Sequence, residues 1–385
     1  MSRLDELIAE LCPDGVEFMP LWSLTAWDKK FNSVEKAKQK RIIKYNYLLA
    51  ADLKAFEAEN GTVKILTTSV TDLWANEEDV KDIMSDGEIV CIPWGGNPIV
   101  QYYKGKFVTG DNRIATAIDS NMLSNKYLYY VLQNMLTDIA SFYRGSGIKH
   151  PDMSKVLELL IPVPPLEVQS EIVRILDNFT ELTAELTAEL TAELTARKKQ
   201  YEYYRDELLS YDGCEEKTLG ELVKIKNGSD YKSFPEGDIP VYGSGGIMTY
   251  IDRAAYDKPT VLIPRKGSVD KLYYVDTPFW NVDTIFYTDI DNTRIIPKYL
   301  FYLLQKEHLE QYNTAGGVPS LTQTILNKVK LKVPNLVRQQ YVVETLDRFD
   351  AICNDISSGL PAEIEARQKQ YEYYRDKLLT FKQLA

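Results

Sequence analysis

Contact with a polyanion needs cations, turn amides and aromatic rings, and this chain places all three together at a few points. Residues 27–49, WDKKFNSVEKAKQKRIIKYNYLL, carry seven Lys or Arg against two acids, with Tyr45 and Tyr47 interleaved. Lys29, Lys30, Lys38, Lys40, Arg41 and Lys44 are therefore candidate phosphate contacts, and a solvated helix face is the competing reading of the same run. The turns PRKGS (264–268) and YRGSGIKHP (143–151) set Arg265, Lys266, Arg144 and Lys149 beside glycine, where backbone amides can approach an anion closely. On charge and turn chemistry, Arg113, Lys232, Tyr242, Ser244 and Lys271 complete the candidates for contact with double-stranded DNA. The run Gly243-Ser244-Gly245-Gly246 lacks GxGxxG spacing and the acidic residue expected about 20 positions on, so it reads as a turn or DNA-facing loop rather than a nucleotide site.

The residues of catalysis are not assembled in the same way. His150 and His308 are the only histidines, and Cys12, Cys91, Cys214 and Cys353 form no CxxC pair, so neither a zinc site nor a redox pair is expected. The sequence contains no GxxxxGK[ST] loop and no Asn-Pro-Pro-aromatic or Asp-Pro-Pro-aromatic signature of an amino-methyltransferase. No catalytic residue, metal ligand or cofactor is assigned to the chain. The cysteine usage points to a reducing, cytoplasmic compartment; no apolar run approaches the ~18 residues of a membrane span, and the opening MSRLDELIAEL is too acidic for a secretory signal.

The elements that position these residues come in duplicate. ARKKQYEYYRDELL (196–209) and ARQKQYEYYRDKLL (366–379) share 12 of 14 positions at an offset of 170. At the same offset IPVPPLEVQSEIVRILDNF (161–179) lies over LKVPNLVRQQYVVETLDRF (331–349), pairing Pro164 with Pro334, Gln169 with Gln339, Leu176-Asp177 with Leu346-Asp347, and Phe179 with Phe349. Near offset 171, VCIPWGGNPIVQYYKGKF (90–107) matches VLIPRKGSVDKLYYVDTPF (261–279), and the opening DELIAELCPDGVEFMPL echoes DELLSYDGCEEKTL (206–219). The expected organisation is a cyclic pseudo-two-fold repeat: an N-terminal helix (1–14), a first globular domain (15–164), a helical arm (165–212), a second globular domain (213–334) and a second arm (335–385). Both globular domains are expected to be mixed α/β, because strand-like runs such as GEIVCIPW, TVLIPR, KLYYV and DTIFYT are broken by turn signals.

The first arm follows Pro164-Pro165 and carries Leu166, Ile172, Ile175, Leu176, Phe179 and Leu182 at helical spacing, with no further Gly or Pro before Gly213. One long helix of roughly 69 Å is expected. The second arm should kink or divide at Ser357-Ser358-Gly359-Leu360-Pro361. Packing the two arms antiparallel would bury both apolar stripes. Residues 181–196 spell ELTA four times; a four-residue period drifts about 40° per repeat, so the Leu182, Leu186, Leu190, Leu194 stripe is not a long straight coiled-coil seam, and the segment reads as a helical ruler whose length matters, with an inert linker as the alternative. The net charge is −11, of which the arms carry −7, while 213–334 is neutral and leaves basic patches free. The near identity of 196–209 and 366–379, beside diverged globular domains, points to one partner bound twice through Tyr201, Tyr204, Arg205, Tyr371, Tyr374 and Arg375, with Tyr203 and Tyr373 in the same stripe. The alternative is that the two blocks pack on one another and resemble each other for that reason.

These residues resemble the specificity subunit of type I restriction–modification enzymes. The resemblance is carried by GSGIKHPDMSKVLELLIPVPPLEVQSEIVRILDNF (145–179), its second copy from Gly316, VLIPRKGSVDKLYYVDTPFWNVDTIF (261–286), and the ELTA repeats, which are similar to the IC subclass. It covers nearly the whole chain. It implies two target-recognition domains that each read half of a split DNA site, a non-catalytic role, and assembly with two methyltransferase subunits that bind S-adenosylmethionine and with ATP- and Mg-dependent restriction subunits. The second arm departs from strict symmetry by lacking ELTA. A free-standing DNA-binding regulator is the runner-up, and a DNA-cleaving enzyme in its own right the third reading.

Overall fold

Apolar residues at three- and four-residue spacing become helices wherever glycine and proline leave the run intact. The computed structural model describes residues 2–211, 213–313, 320–354 and 359–384. Its longer helices are α1 (Arg3–Leu11), α2 (Asn125–Asn134), α3 (Leu166–Leu208), α4 (Pro297–Lys306), α5 (Leu336–Asn354) and α6 (Leu360–Leu379). The first arm is thus a single helix of 43 residues, and the second is two. Of the expected break, Ser357 and Ser358 lie outside the described residues; Pro361 sits at the second position of α6, where its missing N–H breaks no intrahelical bond. The ELTA leucines are unevenly covered, with Leu182 60% exposed and Leu190 8%, as a drifting stripe requires. Among the described residues no helix is long and apolar enough to cross a membrane.

The chain divides into two units, residues 1–187 with 366–385, and residues 188–365. In unit 1, β1 (Thr25–Trp27), β2 (Val63–Leu66), β3 (Leu73–Ala75), β4 (Ser85–Pro93), β5 (Gln101–Thr109) and β6 (Asn112–Ala117) form one sheet in the order β1-β6-β4-β5-β2-β3, with β2 and β5 the parallel pair. Helix α2 lies against it, burying Tyr127, Leu128, Tyr130, Val131 and Leu132. An antiparallel ribbon of Glu17–Pro20 and Leu160–Val163 brings the chain's entry to and exit from the globular part together.

Unit 2 repeats this plan. Its strands β7 (Val223–Lys226), β8 (Ile239–Gly243), β9 (Gly246–Ile251), β10 (Thr260–Pro264), β11 (Tyr273–Val275), β12 (Trp280–Asn281) and β13 (Ile285–Ile290) form an antiparallel sheet β7-β13-β10-β11 and a smaller one β9-β8-β12. Helix α4 buries Tyr299, Leu300, Tyr302, Leu303 and Leu304, and a ribbon of Glu215–Thr218 and Lys330–Val333 closes the base. KYLYYVLQ (126–133) and KYLFYLLQ (298–305) thereby occupy the same place in their units, a further repeat that lies outside the two offsets given above.

The repeated arm residues clamp each globular part to its helix. Buried Gln169 accepts from Ser124 N (2.9 Å) and donates to the Met122 and Pro164 carbonyls (both 2.8 Å). Gln339 accepts from Ile296 N (2.8 Å) and donates to the Arg294 (3.0 Å) and Pro334 (2.9 Å) carbonyls. Asp177 takes the Tyr130 hydroxyl (2.6 Å) and the Lys126 ammonium (2.8 Å), and Asp347 takes Tyr302 and Lys298. Pairing of arm helices occurs inside each unit. Phe179 stacks on Tyr374 at 5.7 Å in unit 1, and Phe349 on Tyr204 at 5.6 Å in unit 2. In unit 1 Ile172 and Leu176 share a core with Leu379, and in unit 2 Arg338 lies over Tyr211, so each pair runs antiparallel.

Candidate nucleic-acid interface

In unit 1 the fold brings the turn at 143–151 named above against the segment that follows β4. The hairpin of Tyr143–Arg144 and His150–Pro151 sits beside Trp94-Gly95-Gly96: the Tyr143 hydroxyl donates to Pro93 O (2.8 Å), His150 Nδ1 lies 2.7 Å from Trp94 O, and Gly96 N donates to Lys149 O (3.1 Å). A Cβ on Gly95 would meet Ile148 Cγ2 at 2.9 Å and His150 Cε1 at 3.2 Å, so a larger residue there would push these side chains aside. The Lys29 ammonium lies over both Tyr47 (5.8 Å) and Trp94 (5.4 Å), and the His150 ring is 5.3 Å from the indole. Lys29, Trp94, Lys149 and His150 thus form one cationic and aromatic cluster, with Arg144 exposed on the hairpin and in range of Asp152 (3.9 Å). An apolar cavity of about 350 Å³ opens beside Tyr47, lined also by Leu49, Leu53 and Leu73. No sequence signal marked it.

Two expectations for unit 1 need correction. Arg113 is not on the surface: it is fully buried, its Nη1 2.7 Å from Asp28 and its Nη2 on Asp111, with the Trp94 ring 5.0 Å above. It braces the cluster from below. Burial holds the Asp28 carboxyl above its ordinary range, opposed by the Arg113 charge and the Ile114 N–H that donates to it at 3.1 Å. The second concerns the competing reading of residues 27–49 as a solvated helix face, which they do not form. Only Lys36–Lys38 forms a 3₁₀ turn, and the loop wraps the buried Gln39 amide, which accepts from Phe31 N (2.7 Å) and donates to Phe31 O and Val34 O (both 3.0 Å). Lys38 turns to Glu158 (2.6 Å) and Trp22, outside the cluster, whereas Lys30, Lys40, Arg41 and Lys44 are exposed along the loop.

Unit 2 gathers its candidates in the corresponding place. The PRKGS turn follows β10, and Arg265 O accepts from Leu321 N (2.9 Å) while Lys266 bridges to Ser320. The β8–β9 hairpin lies against it: Ser244 N donates to Thr284 Oγ1 (3.3 Å), the Tyr273 hydroxyl donates to Ser244 O (3.3 Å), and a Cβ on Gly267 would come within 3.8 Å of Ser244 Oγ. Tyr242 rests on Tyr273 at 6.0 Å, and burial raises both phenols, which stay neutral donors at physiological pH. Gly267, at φ +77°, fits a position that L side chains rarely adopt. Lys266 and Lys271 are exposed there; Lys232 is exposed on another loop, after β7.

The duplicated helical block is more occupied than its sequence suggested. Tyr201 and Arg205 are each 8% exposed and belong to the unit 2 interior, Arg205 pairing with Asp206 at 2.9 Å. These two are therefore not surface contacts. Tyr371 meets Thr180 Oγ1 at 3.1 Å, Arg375 donates to Asn134 (3.2 Å), and Tyr204 and Tyr374 make the stacks described above. Each block packs on its own unit, through the matching stacks of Tyr204 on Phe349 and Tyr374 on Phe179, while Arg205 and Arg375 take different partners. What those contacts leave over faces outward, above all Tyr203 (65% exposed) and Tyr373 (63%). In unit 2 a groove of about 430 Å³ runs beside this block between Tyr211, Arg338 and Tyr341.

Two copies of one mixed α/β fold, each with a basic and aromatic turn cluster and each clamped to an arm helix, define a duplicated DNA-recognition protein. The family model for the type I restriction modification DNA specificity domain matches residues 32–196 and again 211–366, and the chain belongs to that family as a DNA specificity subunit. It is 34% identical to a putative type I restriction enzyme specificity subunit of Haemophilus influenzae, over 79% of this chain and 86% of that one. It is 32% identical to the EcoR124I/EcoR124II specificity subunit of Escherichia coli, over 99% and 97%. The fold matches a chain solved in work on complex assembly and conformational transition of the type I R-M system (TM-score 0.64, 15% identity, 95% of this chain and 98% of that one). It also matches the system's S subunit from M. genitalium (TM-score 0.52, 20% identity, 95% and 96%).

Proposed function

We propose that each unit reads one half of a bipartite, asymmetric DNA site, that the arm helices set the unspecified gap, and that the chain performs no chemical step itself. The observation that carries this reading is that equivalent strands, ending at Trp94 and at Arg265, each lead into a turn cluster with its own side chains: Lys29, Trp94, Lys149 and His150 in unit 1; Tyr242, Ser244, Arg265 and Lys266 in unit 2. A common docking geometry with divergent side chains is what reading two sequences requires. Methyl transfer and restriction then belong to partners: two methyltransferase subunits carrying S-adenosylmethionine, and restriction subunits using ATP and Mg. The outward Tyr203 and Tyr373, repeated beyond what packing inside the units needs, support docking of the same partner twice.

The test is to co-express the chain with the methyltransferase subunit and map methylated positions in cellular DNA. Exchanging residues 15–150 for the matching segment of a relative should change one half of the methylated motif and keep the other. A change in both halves would refute modular reading, and methyl transfer by the purified chain alone would refute the division of labour.

A further inference from the structure

The clearest difference between the two clusters is an exchange of partners across one cation–π contact. Ladder registers fix the equivalence: Ile92 pairs with Arg113 and Pro93 with Asn112 in unit 1, while Ile263 pairs with Phe286 and Pro264 with Ile285 in unit 2. Trp94 and Arg265 are the residues that follow, and their amides make matching bonds, Trp94 N to Asp111 O (2.9 Å) and Arg265 N to Thr284 O (3.0 Å). In unit 1 the indole lies above and the guanidinium below, with Trp94 5.0 Å from Arg113. In unit 2 the guanidinium lies above and the ring below, with Arg265 5.3 Å from Phe286. The same contact holds the same position in both units, and only the chemistry offered outward is reversed.

We propose that this position discriminates a base in each half-site: Arg265 reads a guanine, and Trp94 reads a thymine through its methyl group. This rests on the reading of the units as two half-site readers. The lower member of each pair is committed to the fold, Arg113 neutralised by Asp28 and Asp111 and Phe286 2% exposed. The upper members are partly exposed. Among the described residues the Arg265 guanidinium has no carboxylate partner; its one hydrogen bond is a long one from Nη1 to Asp283 O (3.4 Å), and its flat face is held by Phe286. A guanidinium fixed in plane but not neutralised suits the paired O6 and N7 acceptors of guanine. Trp94 offers the exposed part of its indole, an apolar surface beside the Lys29 ammonium, held in place by Arg113, Lys29 and His150 and by the His150 bond to its carbonyl. A rigid apolar face cannot select a phosphate, and in the major groove the thymine methyl is the feature it can select.

The experiment compares the methylated motif of cells carrying the methyltransferase subunit with this chain, with Arg265→Ala, and with Trp94→Ala or Trp94→Phe. Arg265→Ala should relax one guanine to any base in the unit 2 half-site, a loss of discrimination of roughly ten- to a hundredfold, and leave the other half intact. Trp94→Ala should relax one thymine in the unit 1 half-site only, while Trp94→Phe, which keeps the apolar face, should retain that thymine and report that the domain still folds. Unchanged motifs at lower occupancy and with a weaker salt dependence would make these positions phosphate contacts and overturn the proposal. So would relaxation at a base other than guanine or thymine, or loss of methylation by Trp94→Phe as well as Trp94→Ala. A parent chain that directs no two-part motif would instead refute the half-site reading on which the proposal stands.

Discussion

Replacing Arg113 with methionine tests whether the recognition cluster of unit 1 is built on a buried charge. The side chain is fully buried between Asp28, itself 9% exposed, and the half-exposed Asp111. Removing one member of a buried ion pair strands the other, at a typical cost of about 3–5 kcal/mol. Because Asp111 can turn to water, the lower end, about 3 kcal/mol, is the expected loss. With a urea slope of about 2 kcal/mol per molar, the unfolding midpoint of unit 1 should fall by about 1.5 M. The dependence on pH has a definite sign. Burial already holds Asp28 above its ordinary range, and without Arg113 it moves higher. A carboxyl raised in the folded state favours folding below its unfolded pKa, and that contribution is lost as pH rises through the folded value. The Arg113→Met deficit should therefore be larger at pH 8 than at pH 5, and Asp28→Asn in the same background should recover most of it. Tryptophan fluorescence follows the transition, since Trp22, Trp27, Trp74 and Trp94 lie in unit 1 and only Trp280 in unit 2. A midpoint shift below about 0.3 M at pH 8, or no recovery with Asp28→Asn, would show that the pair contributes nothing and that Arg113 is merely tolerated.

Gln339→Ala removes three hydrogen bonds from a buried joint and should cost unit 2 about 2–4 kcal/mol, read by hydrogen exchange on α4 and α5, with unit 1 amides unchanged; equal loosening of both units would refute a local joint. Tyr203→Ala with Tyr373→Ala should weaken association with the methyltransferase subunit by tenfold or more, measured by titration calorimetry, while leaving thermal stability in place, because both rings are outward. Deleting one ELTA removes about 6 Å and about 400° of helix, leaving a residual of about 40° that matches the twist of one base pair, so the gap in the methylated motif should shorten by one base pair; an unchanged gap would make the segment a slack linker.

The duplication, the single long helix and the turns bearing Arg265, Lys266, Arg144 and Lys149 were legible in the sequence because each is a local property. Helical spacing without Gly or Pro makes α3, and glycine beside a cation makes a turn, whatever surrounds them. The repeated Gln169 and Gln339, Asp177 and Asp347, and Phe179 and Phe349 were visible as identities, but their work was not, since a joint is defined by what it touches 43 residues or more away in sequence. Burial decided the rest. Arg113 looks like any basic residue in the sequence, and only the sheet shows that Asp28, distant along the chain, comes to neutralise it inside the fold. Tyr201 and Tyr203 are two positions apart on one helix, about 200° around its axis, so packing buries the first and leaves the second outside. Composition chose the elements and pattern placed them twice; which cation meets solvent and which ring meets a partner was settled by the long-range contacts that close each unit.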